Sequence, residues 1–149
     1  MKLTGLDVFD STIQRTGLWL KDLMLELNWT DRRKAYVALR LVLQGLRDHL
    51  PVEQVARFGN QLPMLVRGFY FENWDPVGKP LSCKSRDDLL QGVSRDFARN
   101  GDGSHEAELI VRGVFRFLDK KAAEGEIQDL HDILPADLRE LWPPTLRAA

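Results

Sequence analysis

The chain carries one cysteine, Cys83, in 149 residues, so no intramolecular disulfide forms and a disulfide-stapled secreted scaffold is excluded. Charge of one sign is also lacking: 21 lysines and arginines stand against 22 aspartates and glutamates, a formal net charge of -1. That balance gives no long-range attraction to nucleic acid or to an anionic membrane surface. Long apolar runs are missing. The most span-like stretch, 35–46, contains Arg40 and Gln44 and falls short of the roughly 20 apolar residues of a membrane helix. Asp7 and Asp10 interrupt the N-terminal region, so a signal peptide is not expected and the cytoplasm is the expected compartment.

Catalytic and metal-binding patterns are equally scarce. Gly-x-Ser-x-Gly is absent, and no Gly-rich phosphate loop follows a strand. His49, His105 and His131 have no metal-ligand spacing, and none falls opposite another histidine in the repeat described below. Cys83 has Lys84 and Arg86 nearby but no motif for nucleophilic catalysis. Around Asn100-Gly101-Asp102-Gly103 the chain looks like part of a calcium loop, but with Asp96 at its first position, Ala98 and Ala107 fall where oxygen ligands are required. It reads as a turn, with Ser104 capping the next helix. Asp87/Asp88 and Asp129/Asp132 read as helix-surface or first-turn carboxylates. No metal and no cofactor are expected.

What is present is helical periodicity. Between about Arg32 and Leu50, the residues Ala35, Leu39, Val42, Leu43, Leu46 and Leu50 fall within an arc of about 100°, a one-sided apolar stripe. Thr30 or Asp31 is the expected N-cap, and Pro51 ends this helix and opens the next at its first position. Val55, Phe58 and Leu62 continue the pattern, Pro63 restarts it, and Leu65, Val66, Phe69 and Tyr70 lead to Trp74. An earlier helix is expected over 11–27, with Ile13, Leu20, Leu23, Met24 and Leu27 buried and Gly17 marking a kink or break. Asp75-Pro76-Val77-Gly78-Lys79-Pro80 reads as the start of a linker, 76–84.

Beyond it the plan recurs. Ala35 and Ala107, Arg40 and Arg112, Val42 and Val114, Leu46 and Leu118, Leu62 and Leu134, Pro63 and Pro135, and Arg67 and Arg139 are identical pairs 72 residues apart. Apolar replacements such as Leu39/Val111 and Phe58/Leu130 keep the same offset, while an offset of 70 aligns Leu20 with Leu90 and Leu23 with Val93. The expected architecture is a single all-α domain, 1–149, a bundle of seven or eight helices. Two tandem units, about 11–75 and 85–143, would pack about a pseudo-twofold axis, because about 60 residues alone bury a marginal core.

Several runs carry a resemblance over nearly the whole chain: Ala35-Tyr-Val-Ala-Leu-Arg40, Leu46-Arg-Asp-His-Leu-Pro51, Gln61-Leu-Pro-Met-Leu-Val-Arg-Gly68, Trp74-Asp-Pro, and Leu134-Pro-Ala-Asp-Leu-Arg-Glu-Leu-Trp-Pro143. They resemble the bacterial domain-of-unknown-function family 2267. The resemblance implies a prokaryotic helical protein and brings no activity, cofactor or catalytic residue with it.

Candidate site residues come from the repeat and from the aromatics. Arg40 and Arg112 lie about 60° past the apolar stripe, where the stem covers the core and the guanidinium reaches a carboxylate or a helix C-terminus. Arg67 and Arg139 follow each Leu-Pro and suit either that role or anion binding. Trp19, Trp29, Trp74 and Trp142 are expected mostly in the core. Phe69, Tyr70 and Trp74, in the segment 68–74, are the first candidates for a partner surface. The functional expectation is a non-enzymatic helical interaction or regulatory module, a homodimer or a binder of a protein partner. The alternative is a protein that holds an anionic or apolar small molecule between the two units.

Overall fold

The computed structural model describes residues 3–80, 86–99 and 106–144. Within them the fold is all-helical: α1 (Asp7–Leu27), α2 (Arg32–His49), α3 (Val52–Gly59), α4 (Met64–Phe71), α5 (Arg86–Arg99), α6 (Ala107–Ala123), a 3-10 turn (His131–Ile133) and α7 (Ala136–Arg139). Cys83, Ser104, His105 and the turn at 100–103 lie outside the described residues.

Local chemistry sets these boundaries. The Asp31 side chain accepts from Lys34 N at 3.2 Å, capping α2. Asn28 takes the left-handed conformation (φ 58°) that asparagine tolerates, turning Trp29 N onto Met24 O at 2.9 Å and ending α1. Pro51, Pro63 and Pro135 share one geometry, with φ of -55°, -53° and -54°. Each stands at the N-cap, which for Pro51 is one place before the expected first position. Its carbonyl accepts the first helical bonds there, and its missing N–H leaves nothing unsatisfied.

The long helices α2 and α6 form the centre. Leu39, Val42, Leu43 and Leu46 on one, and Val111, Val114, Phe115 and Leu118 on the other, are completely buried. Around them α1 packs on α6 and α2, α5 on α2 and α6, and α4 on α2 and α1. Burial follows the 72-residue spacing through Val55/Ile127, Phe58/Leu130, Leu62/Leu134, Val66/Leu138 and Tyr70/Trp142, a pattern compatible with two tandem units.

Helix α1 departs from the sequence reading. It starts at Asp7 and passes through Gly17 as one helix. Its fully buried stripe is Thr12, Thr16, Trp19 and Leu23, whereas Ile13, Leu20, Met24 and Leu27 are only half-buried. The helix is rotated so that the Trp19 indole, the largest apolar group available, meets Phe117 edge-on at 5.3 Å. Leu18 and Leu25 consequently face outward, 53% and 72% exposed.

Candidate functional site

Helix α4 has eight residues, no basic residue in its last turn, and an extended exit at Glu72, so its last carbonyls need donors from elsewhere. Helix α2 supplies them. Gln44 Nε2 donates to Phe69 O at 2.7 Å, and Arg47 Nη1 donates to Tyr70 O at 2.8 Å and Glu72 O at 3.0 Å. Arg47 also pairs with Asp48, its Nε at 2.9 Å from Oδ1, and only 6% of it is exposed.

Three of the four recurring arginines, Arg67, Arg112 and Arg139, also donate to backbone carbonyls. Arg67 donates to Gly59 O, Asn60 O and Leu62 O at 3.1, 3.2 and 3.1 Å, closing the C-terminus of α3. Arg139 Nη2 donates to Leu134 O at 2.9 Å. Arg112 binds Glu108 at 2.9 Å and Glu140 O at 3.1 Å. With Arg86 close by as well, the Arg112 hydrogen bond holds the Glu108 carboxyl below its ordinary range. The Arg40 guanidinium lies over the Tyr36 ring at 5.4 Å. Arg67 lines a shallow site with Val8, Thr12 and Arg15, and the clefts described here bring no two of the four together.

The aromatic segment turns inward. Tyr70 is completely buried, its hydroxyl donates to Val55 O at 3.0 Å, and Phe58 and Phe71 meet its ring at 5.5 and 4.8 Å. Burial pushes its phenol pKa far above the ordinary value. Phe69 is edge-on to Tyr36 at 5.3 Å, and Trp74 lies against Phe71 at 5.7 Å, both half-buried. Tyr70 is therefore core, not a partner surface. At helical spacing, α2 covers one side of the segment and α3 the other.

Two buried polar positions emerge that recurrence of identical residues did not reveal. Between α1 and α6, Lys121 is 5% exposed, with Nζ at 2.7 Å from Asp22, 3.4 Å from Glu126 and 3.6 Å from Glu124. Desolvation alone would lower its pKa, but the Asp22 hydrogen bond and the three carboxylates outweigh this and raise it. Glu126 also accepts from Trp19 Nε1 and Arg15, each at 3.2 Å. At the other position, His49 is likewise 5% exposed. Its Nδ1 lies 2.7 Å from Gly45 O, and Nε2 has no partner. His49 lines a groove of about 300 Å³ between α2 and α5, with Asp48, Asp88 and Asp96.

Arg47 was within reach of the sequence. It lies about 40° past the apolar stripe, closer than Arg40, but the residue 72 positions on is Asp119 rather than arginine. Asp119 nevertheless serves the matching junction, accepting from Trp142 Nε1 at 3.2 Å. The same link is made with donor and acceptor exchanged.

Among the described residues, no group of three or more His, Cys, Asp or Glu side chains is placed to hold a metal ion. No helix there is long and apolar enough to cross a membrane. The class defined by these features is an all-helical bundle whose short helices are closed by side chains from their neighbours. A family model described as "Uncharacterized conserved protein (DUF2267)" matches residues 16–141, and the chain belongs to that family. No curated protein matches the chain.

Proposed function

We propose that this protein is a non-enzymatic, cytoplasmic helical interaction or regulatory module that pairs with a second copy of itself through the outer face of α1. One observation carries the reading: the exposed apolar side chains concentrate on this helix and its lead-in. Leu3, Leu6, Val8, Phe9, Leu18 and Leu25 are 43–72% exposed. Leu18 and Leu25, seven residues apart, share the side opposite the buried Thr12–Leu23 stripe.

A contact of one helix with the same helix of a second copy meets the self-complementarity of a twofold interface. The net charge of -1 puts little repulsion between copies. Light scattering across a concentration series tests the reading. A mass rising toward a dimer is expected, and Leu18→Glu/Leu25→Glu should return it to the monomer without lowering the melting temperature. A strict monomer at every concentration, or a dimer indifferent to both glutamates, would overturn it.

A further inference from the structure

Asp7, Gln14 and Lys21 are spaced seven apart on α1, on the side opposite the buried stripe of Thr12, Thr16, Trp19 and Leu23. At about 100° per residue, these three and the exposed Leu18 and Leu25 fall within an arc of about 60°. Asp7, Gln14 and Lys21 are exposed, and their side chains have no hydrogen-bond or ion-pair partner among the described residues. The other charged groups of the helix are committed. Asp10 Oδ1 accepts from Leu3 N, Thr4 N and Thr4 Oγ1 at 3.1, 2.9 and 2.9 Å. Arg15 pairs with Glu126, Asp22 with Lys121, and Glu26 with Arg116 and Lys120. What remains open on the face is a carboxylate in the first turn, an ammonium about 21 Å further along, and an amide midway between them. Arg32, at the start of α2, adds positive charge to the Lys21 half: its Nη1 lies 3.6 Å from the place a Cβ of Gly17 would take.

This order is complementary to itself when reversed. Two copies of α1 crossing antiparallel about a twofold axis at Gln14 set each Asp7 against the partner's Lys21, because positions 7 and 21 are equally far from 14. On the axis Gln14 meets the partner's Gln14. A primary amide carries both N–H donors and a carbonyl acceptor, so it can return the hydrogen bond it receives. Leu25, four residues past Lys21, comes level with the partner's lead-in, where Leu3 and Leu6 are 64% and 54% exposed. A parallel pairing of the same faces would set Asp7 against the partner's Asp7 and Lys21 against the partner's Lys21, like charge on like at both ends.

We propose that a second copy of this chain docks on α1 antiparallel, with the twofold axis at Gln14 and two Asp7–Lys21 ion pairs setting direction and register. This rests on self-association through the outer face of α1 and specifies its geometry. The test is sedimentation equilibrium of the full chain at low ionic strength, on the parent, Lys21→Glu, Asp7→Lys and the double exchange Asp7→Lys/Lys21→Glu. All the substituted side chains are exposed, and far-UV circular dichroism checks that helix content is kept.

Each single exchange turns two attractions into two repulsions and should weaken the dimer at least about tenfold. The double exchange reverses both signs and should return the affinity to within about threefold of the parent. In a parallel dimer Lys21→Glu would only replace one like-charge contact with another. A parent dimer with the same affinity in Lys21→Glu, or one that the double exchange does not restore, would overturn this geometry and leave self-association through α1 standing. A parent that stays monomeric at every concentration would overturn both.

Discussion

Arg47 illustrates how one side chain can hold two helices in register. Its stem runs beside the α2 stripe, and its guanidinium satisfies Tyr70 O and Glu72 O, the carbonyls that α4 leaves open. Arg47→Met keeps the stem and removes the donors, leaving carbonyls unsatisfied in a buried setting and Asp48 without its partner. A loss of about 3 kcal/mol in urea unfolding is expected; a loss below about 0.5 kcal/mol would show that water or neighbours replace the guanidinium. Two glycines make an opposed pair. A Cβ on Gly68 meets nothing within 4 Å, so Gly68→Ala should stabilise α4 by about 1 kcal/mol through helix propensity. On Gly59 it would stand 2.5 Å from two ring carbons of Phe71, so Gly59→Ala should cost about 1–3 kcal/mol. The same urea melts check both, and equal signs would contradict the packing described.

Between elements, the α1–α6 crossing is the most strongly charged junction. Burial alone would raise the Glu26 pKa, yet hydrogen bonds from Lys120 and Arg116 bring it below its ordinary value of 4.5. Glu126 is lowered in the same way: desolvation is outweighed by the Trp19 hydrogen bond and by Lys121 and Arg15. A carboxyl whose folded pKa is depressed contributes stability above its unfolded pKa and loses it as pH falls through the folded value. Glu26→Gln should therefore weaken the protein at neutral pH, and the gap to the parent should close as pH drops below about 4. Thermal melts across that range check this, and a gap independent of pH would place the contribution of Glu26 in packing rather than charge. Lys121 has the opposite sign. Its raised pKa gives stability that is complete below its ordinary value of 10.5 and is lost as pH rises through the folded one.

At the scale of the molecule, the two halves of the sequence do not pack as neighbours side by side. Helix α1 lies on α6, and α2 lies on α5 and α6, so each half completes the other's core and neither keeps its apolar faces covered alone. A single cooperative transition is expected, with far-UV circular dichroism and the fluorescence of the four tryptophans coinciding through a urea titration. Separate midpoints would mean that the halves unfold independently.

Most of this fold was legible in the residue pattern. The α2 stripe, the Asp31 cap, the three Leu-Pro or Pro boundaries and the pairs at 72 residues each follow from local chemistry and periodicity, which act within a few residues of their own position. Recurrence of arginine also singled out Arg67 and Arg112, whose guanidinium groups bond to backbone carbonyls and to Glu108. It passed over Arg47, His49 and Lys121, because those positions are shared between the halves while the residue types are not. The rotation of α1 was hidden for another reason: Trp19 was expected in the core, but Ile13 and Leu20 are as apolar as Leu23, and only the space beside Phe117 decides that the helix turns about Trp19 and leaves them half-buried. Tyr70 likewise reads as an interface residue until α2 and α3 are seen to enclose it. The sequence by itself determined an all-helical chain with its breaks in place, since capping, proline geometry and the apolar period are short-range. Which carbonyls find which guanidinium was decided only in the tertiary structure, because that depends on side chains far apart in the chain meeting across helix crossings.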